Sequence, residues 1–251
     1  MTEVEIAGAT HRELLGCTGM PQLKRSELHG LARDPSGFNF QWRVALRQIL
    51  GERAGVLVET HHGMTDAEML HSVVVDDVIV QWNDGVLGAR ATVAQFLLEH
   101  TKTPAPLWHA NERVVFTRQA NNEDPVWAVE YDDPYFVSEA TGGDGTIVVY
   151  GGRVLDNHTY YHETAHNAAT QMWGSVVPPR QTEFHKLLKV DNTTGRVANA
   201  VSVYGQNNAT EAWAEAVAEA FSGGTIIGTS VKDPKHPQLQ AARRQLKLKE
   251  L

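Results

Sequence analysis

Apolar positions in the first hundred residues recur at helical spacing. Within residues 38–59, three large apolar side chains lie four positions apart, namely Trp42, Leu46 and Leu50. This spacing places them on one face of a helix. Residues 89–100 form a similar segment. The pattern predicts that the N-terminal part of the chain is mostly helical.

Residues 64–85 show the same spacing over a longer stretch. Thr65 and Glu68 have the spacing of a capping box at its start, and the Asp84–Gly85 pair is a stop signal. Between them the apolar positions recur every four residues, at Leu70, Val74, Val78 and Trp82. This pattern predicts one amphipathic helix.

Two prolines end the helical pattern. Pro104 and Pro106 lie two positions apart, and a helix interior does not accommodate proline because the ring removes a hydrogen bond and clashes with the preceding turn. Residues 101–107 are therefore predicted to be a linker or domain boundary. We expect a helical N-terminal region of unknown role over residues 1–105 and a second domain over residues 106–251.

The second domain begins with patterns typical of strands. Residues 112–119 alternate between polar and apolar, and residues 145–152, "GTIVVYGG", are a β-branched run between glycines. The "GGDG" stretch at residues 142–145 is predicted to be a hairpin turn that leads into this strand. Strands followed by helices predict an α+β fold for the whole chain.

Four helices are predicted after these strands. The first begins at Asp156 or Asn157, either of which is a good N-cap, and ends at Gly174, a good C-cap residue. A short amphipathic helix is expected within residues 182–190. An alanine-rich helix follows over residues 208–224, and a terminal helix begins near Pro237.

Composition and charge exclude several classes of protein. The net charge of −8 argues against general nucleic-acid binding, which needs a basic surface. The single cysteine, Cys17, allows neither an internal disulfide nor a cysteine-based zinc site. No signal peptide and no apolar run of membrane-spanning length are present. We predict synthesis in the cytoplasm, with association with a virus particle as a further location.

The motif "HETAH" is the main candidate for chemistry. His162 and His166 are four residues apart, so a helix presents both imidazoles on one face, one turn apart. Glu163 lies on the flank of that face, close enough to act on a water molecule at the metal. The sequence therefore predicts a zinc site with a carboxylate beside it.

A third ligand must come from elsewhere in the chain. The metzincin extension of this motif is excluded because Ala169 and Met172 occupy the positions where it requires glycine and histidine. A glutamate from a second helix is the other common solution. The alanine-rich helix offers Glu211, Glu215 and Glu219 on one face. The alternative for these glutamates is a solvated acidic stripe.

The residues around Glu211 resemble a known family. The segment "SVYGQNNATEAWAEAVAEAF" is similar to the signature of lethal-factor-like zincins, which occur in the catalytic domain of anthrax lethal factor, in other bacterial toxins and in phage particle proteins. The resemblance covers roughly residues 135–225. The matching positions are Tyr204, Gly205, Asn208, Glu211, Trp213, Ala214, Glu215 and Ala216. The chain departs from many relatives at Thr164–Ala165, where they have a bulky residue and glycine.

The resemblance implies a role for each matching site residue. His162, His166 and Glu211 would be the protein ligands of Zn²⁺. Glu163 would be the general base that takes a proton from the attacking water and later gives it to the leaving amine. Tyr204 would donate a hydrogen bond to the oxyanion.

A second glutamate and a strand complete the implied arrangement. Glu215, one turn after Glu211, would accept a hydrogen bond from a ligand histidine and fix its tautomer. The strand at residues 145–152 would be the edge strand of a small twisted sheet that lies over the metal-binding helix. Such an edge strand binds extended substrate by backbone pairing. The implied fold is a zincin-like domain.

Three functions follow as expectations. The leading one is a zinc endopeptidase acting on a protein or peptide substrate. The second is a structural component of a phage particle that carries a zincin domain and contacts other phage structural proteins. The third is an injected protein toxin.

Other residues have less specific interpretations. His158 lies one turn before His162 and either approaches the metal or is a polar residue of the first helical turn. His185 is a candidate for substrate contact. The tryptophans Trp127, Trp173 and Trp213 are predicted to be core residues. The basic cluster of Arg243, Arg244, Lys247 and Lys249 is predicted to be a solvated face or a partner contact.

Overall fold

The computed structural model describes residues 54–60, 70–83, 103–222 and 236–247, together with Val93, Phe96, Leu97, Glu99 and His100. The chain is mixed α/β and divides into two compact units. The first unit comprises residues 1–102, 113–139 and 148–154. The second comprises residues 103–112, 140–147 and 155–251. The predicted domain boundary at residue 105 stays a prediction.

The described elements begin with three strands and end with a series of helices. The strands are β1 (Ala54–Thr60), β2 (Leu70–Val75), β3 (Val78–Asn83), β4 (Arg113–Phe116), β5 (Ala140–Thr141) and β6 (Thr146–Val149). The helices are α1 (Ala105–Trp108), α2 (Asp124–Glu130), α3 (Asn157–Trp173), α4 (Glu183–Leu187), α5 (Ala209–Ser222) and α6 (Pro237–Gln245). A 3₁₀ helix spans Tyr204–Gln206.

The first unit contains a small mixed sheet. β1 pairs with β2 and β2 with β3, both antiparallel, whereas β3 and β4 are parallel. Among the few described residues of the predicted helix over 89–100, Val93, Phe96, Leu97 and Glu99 are helical. The predicted helix over 38–59 lies mostly outside the described residues, and its end is strand β1 instead.

The helix predicted over residues 64–85 is wrong, because this segment forms the β2–β3 hairpin. Val78, Val80 and Trp82 are buried while the residues between them are less so, which is the period of two expected for a strand. A spacing of four is also an even number, so it marks one face of a strand as well as one face of a helix. Asp76 and Asp77 have φ angles of 45° and 64°, which a tight hairpin turn of the primed type requires.

Pro104 is the N-cap residue of the short helix α1, and Pro106 lies in its first turn, where its missing N–H costs nothing. One further prediction, for Trp127, needs correction. Trp127 lies on α2, which has no buried residues. Its ring stacks on Tyr131 with centroids 6.0 Å apart, so Trp127 is not a core residue.

Strand β6 has neighbours on both sides. In the strand order of the sheet, β6 lies between β4 and β5. Within the first unit, the N–H of Thr117 donates to the carbonyl of Val149 over 2.9 Å. The edge position that the sequence assigned to residues 145–152 therefore belongs to β5.

In the second unit, α3 begins and ends, and α5 begins, where the sequence predicts. The Asp156 carboxylate accepts from the N–H of Thr159 at the start of α3, and Gly174 ends it with a φ of 70°. The Asn208 side chain accepts from the N–H of Glu211 over 2.9 Å at the start of α5. These caps satisfy backbone groups that helix ends leave open. No helix in the described part of the chain is long and apolar enough to span a membrane.

Trp213 joins α3 to α5. Its side chain is fully buried, and its indole N–H donates to the carbonyl of Ala165 over 2.9 Å. The rings of Trp173 and Phe184 pack against it edge-on, at 5.0 and 5.1 Å between centroids. Trp213 is therefore a core residue, as predicted, whereas Trp173 is half-buried.

Helix α6 contacts both α4 and α5. Arg243 is buried, donates a hydrogen bond to the carbonyl of Ala220 near the end of α5, and lies over the ring of Phe221. The prediction of a solvated Arg243 is therefore wrong. Arg244 forms an exposed ion pair with Glu183 at 2.6 Å. Lys249 lies outside the described residues.

Replacing Trp213 with alanine is expected to lower the free energy of unfolding by about 3–5 kcal/mol, because it removes a large buried ring and leaves a cavity. The hydrogen bond to Ala165 is lost as well. Urea denaturation followed by circular dichroism measures the change. Trp127→Ala is the matched control and is expected to cost less than about 1 kcal/mol. Equal losses in the two variants would contradict this account of the core.

Candidate metal centre

Three ligand atoms from α3 and α5 converge at one point. The Nε2 atoms of His162 and His166 are 3.2 Å apart. The Oε2 atom of Glu211 lies 3.1 Å from the first and 3.8 Å from the second. Ligands held about 2.0–2.1 Å from a tetrahedral zinc ion are about 3.3 Å from one another. The three atoms therefore have the spacing of three corners of such a site.

Glu211 has an unsatisfied oxygen at this point. Its Oε2 atom is buried and has no hydrogen-bond partner among the described residues, although a nitrogen of His162 is 3.1 Å away. Buried carboxylate oxygens without a partner are rare because desolvation is costly. A cation between the three atoms would satisfy all of them. This buried His/Glu group could therefore hold a metal ion.

Glu215 orients one of the two histidines. Its Oε1 atom lies 2.8 Å from Nδ1 of His162. A proton on Nδ1 is required for this hydrogen bond to a carboxylate, so Nε2 of the neutral ring has a lone pair facing the convergence point. The structure thus brings Glu215 next to His162.

His158 contacts the same glutamate. Its Nε2 atom is 2.9 Å from Oε1 of Glu215, so one carboxylate oxygen bridges two histidines. His158 thus joins the site through Glu215, and the sequence left this open. Two groups of side chains in the described part of the chain could hold a metal ion, namely His162, His166 and Glu211, and His158, His162 and Glu215. His185 lies half-buried on α4 and belongs to neither group.

Glu163 and Tyr204 lie beside the convergence point. Glu163 directly follows His162 on α3 and is buried. Its carboxylate accepts a hydrogen bond from the N–H of Gly142. Tyr204 lies in the 3₁₀ helix before α5, and its ring centroid is 5.7 Å from that of His162. With 39% of its surface exposed, Tyr204 is accessible to a substrate.

The pKa values of His162 and His166 are shifted in opposite directions. Burial alone would lower the pKa of His162, but Glu211, Glu215 and the charge of Glu163 raise it well above 6.5. Burial, together with the charge of His162, lowers the pKa of His166 to about 4. The neighbouring carboxylates thus favour the charged form of His162, whereas burial favours the neutral form of His166.

The carboxylates also differ from one another. Burial raises the pKa of Glu163 to about 7, although the nearby charge of His162 opposes it. Burial opposes the ionisation of Glu211 and Glu215 too, yet the histidines beside them hold both pKa values below the usual range. Glu163 is therefore the carboxylate that gains and loses a proton near neutral pH.

Sequence reasoning missed three residues next to this site. Asn167 directly follows His166, Asn111 lies between α1 and β4, and Gly142 packs on Glu163. Asparagine and glycine in these positions have no motif of their own, and only the tertiary contacts reveal them.

Comparisons with protein-family models, with curated proteins and with solved structures found no match. The likeness to lethal-factor-like zincins therefore depends on the motif residues alone.

Proposed function

We propose that this protein is a zinc-dependent endopeptidase with a zincin-like site. The observation that carries the proposal is the convergence of His162, His166 and Glu211, with Glu163 buried beside them. Two imidazoles and one carboxylate suit Zn²⁺ and form the open, three-ligand set of a catalytic site. The pairing of "HETAH" with the segment that contains Tyr204 and Glu211 supports peptide hydrolysis as the reaction.

The residues of the chain have separate tasks in this reaction. Bound zinc supplies a Lewis acid that polarises the scissile carbonyl and acidifies water. Glu163 takes the proton from the attacking water and returns it to the leaving amine. Tyr204 donates a hydrogen bond to the oxygen that becomes negative. Glu215 keeps the proton of His162 on Nδ1.

The two alternatives place the same site in another setting. A phage particle component would use or retain it within an assembly, and an injected toxin would use it on a host protein. Both stay predictions.

The proposal is tested by removing and restoring the metal. The purified protein is expected to contain about one zinc ion per chain and to cleave members of a diverse peptide pool, detected by mass spectrometry. Treatment with 1,10-phenanthroline followed by desalting should abolish cleavage, and Zn²⁺ should restore it. Mg²⁺ is the control ion and should not, because it prefers six oxygen ligands. A protein that binds no zinc, or that cleaves equally well without it, contradicts the proposal.

The dependence of zinc affinity on pH provides a further test. The neighbouring carboxylates raise the pKa of His162, and zinc binds the deprotonated imidazole, so protons compete with zinc for this side chain. Below the pKa of His162, apparent affinity is therefore expected to fall by about tenfold for each pH unit of acidification. Affinity that stays constant as the pH falls would contradict a raised pKa at a ligand histidine.

A further inference from the structure

Asn167 anchors the loop that connects β5 to β6. Its Oδ1 atom accepts hydrogen bonds from the N–H groups of Gly143 and Gly145, over 2.5 and 3.0 Å. The side chain is 1% exposed, so these bonds have no competition from bulk water. One amide oxygen on α3 thus holds two backbone groups of a four-residue loop.

A second buried amide holds Asn167 in place. The Nδ2 atom of Asn167 donates to Oδ1 of Asn111 over 2.8 Å. The Nδ2 atom of Asn111 in turn lies 3.2 Å from Oγ1 of Thr164 and 3.5 Å from the hydroxyl of Tyr160, both on α3. We call the Asn111–Asn167 pair the amide clamp. Asn167 lies on α3, the helix that carries the "HETAH" motif, and Asn111 contacts two other residues of the same helix.

The clamped loop packs directly against Glu163. A Cβ atom added to Gly142 would lie 2.5 Å from the carbonyl oxygen of Glu163, which is too close for any side chain. Gly142 also acts on the side chain of Glu163, because a hydrogen bond from its N–H lowers the pKa of the carboxyl. The loop therefore supplies a fixed hydrogen-bond donor to the residue that the proposed reaction uses as its base.

We propose that the amide clamp positions Glu163 by holding the loop of residues 142–145 on α3, so that the Gly142 N–H fixes the carboxylate. This inference depends on the proposed function for its kinetic consequences. Asn167 and Asn111 are positioning residues, since neither is among the converging ligands or the groups assigned to the reaction. A general base acts efficiently only when it is held within hydrogen-bond reach of the proton, and a displacement of about 1 Å can cost a hundredfold in rate.

Two substitutions of Asn167 separate positioning from packing. Asn167→Leu keeps the size of the side chain but removes the acceptor for both glycines. Asn167→Asp keeps that acceptor, and its second oxygen can accept from a turned Asn111 amide, since the hydroxyls of Thr164 and Tyr160 can donate as well as accept. The rescue variant therefore preserves the clamp with its hydrogen bonds reversed.

Peptide cleavage by the zinc-loaded variants is the first readout. We expect Asn167→Leu to lower kcat between about tenfold and a hundredfold, with KM within about threefold of the wild type and zinc content unchanged. Asn167→Asp should recover most of kcat. Equal kcat in Asn167→Leu and the wild type, or equal impairment of the two variants, overturns the proposal.

A glycine pair repeats the test without touching the clamp. Gly142→Ala must push the loop away from Glu163 and is expected to lower kcat by about tenfold or more. Gly195→Ala is the control: an added Cβ meets nothing within 4 Å, although the φ of 75° strains alanine locally, and because Gly195 lies outside the loop of residues 142–145 its kcat should be unchanged. If Asn167→Leu does not fold, this pair decides, and normal kcat in Gly142→Ala overturns the proposal.

Amide hydrogen exchange measured by NMR is independent of peptidase activity. In Asn167→Leu, exchange at Gly143 and Gly145 should rise by about tenfold or more, and Gly142 should follow although Asn167 does not bond to it. In Glu163→Ala, exchange at Gly142 alone should rise. An unchanged Gly142 in Asn167→Leu overturns the clamp. If the wild type cleaves no peptide while this exchange pattern holds, the proposed function fails and the clamp stands.

Discussion

Glu163→Gln is expected to retain one zinc ion per chain and to lose nearly all peptidase activity. Glutamine has the shape of glutamate, and its amide oxygen can still accept from the Gly142 N–H. It cannot take up a proton, and removing a general base lowers rates by about 10²–10⁴-fold. Burial raises the pKa of Glu163 to about 7, so the glutamate can take up a proton near neutral pH. Glutamine has no group that can do so.

The measurement compares kcat/KM of the two zinc-loaded proteins on one peptide identified from the pool. Glu183→Gln is the matched control, since Glu183 is an exposed glutamate on α4 paired with Arg244, and it should cleave like the wild type. Metal content by mass spectrometry and thermal unfolding check that the site is intact. A Glu163→Gln protein with more than about a tenth of wild-type activity cannot owe its rate to a base at this position.

The second large effect is expected along α5, where three glutamates lie one turn apart. Glu211→Ala should raise the dissociation constant for zinc by more than about a hundredfold and abolish cleavage, because it removes a direct ligand. Glu215→Ala should raise it by about 10–100-fold, as loss of a partner that orients a ligand does. Glu219→Ala should change it by less than about threefold.

This series is well matched. All three residues are buried on the same helix, and each substitution removes one carboxylate. Their surroundings differ, because the histidines lower the pKa values of Glu211 and Glu215, whereas burial raises that of Glu219. Competition with a fluorescent zinc chelator gives the three affinities. Any order other than Glu211, Glu215, Glu219 in falling effect contradicts the assignment of the ligand.

The sequence predicted those parts of the structure whose signals are local. Both ends of α3 follow from Asp156 and Gly174, and the start of α5 follows from Asn208. Cap residues act on backbone groups within one turn, so their effect depends little on the rest of the chain. The same holds for the pair of histidines on α3, whose spacing alone places them on one face.

The β2–β3 hairpin shows where a periodic pattern is ambiguous. Leu70, Val74, Val78 and Trp82 fit one helical face, but four of the nine positions between them are β-branched and the Asp76–Asp77 pair is a turn. The register of the hairpin decides which valines are buried, and that depends on pairing across the turn. The apolar positions of this segment fit the periods of both a strand and a helix, so the pattern alone does not decide between them.

Arg243 and the amide clamp depend on contacts between distant segments. Arg243 looks like a surface cation in sequence, yet the carbonyl of Ala220 and the ring of Phe221 receive its guanidinium. Asn111 and Asn167 are 56 positions apart. No local pattern links residues so far apart in the chain, so the clamp and the bridging role of His158 follow only from the folded structure.

The arrangement of the ligands along the chain sets an order for assembly during synthesis. Translation produces α3 with His162 and His166 first, and Glu211 follows only after the segment between Trp173 and Ala209 has been made. A nascent chain that ends within this segment has two imidazoles and no carboxylate to complete the set. On the proposed function, the complete set of ligands exists only once residues 209–222 have been synthesised, so binding of zinc to all three would be a late step in the biogenesis of the protein.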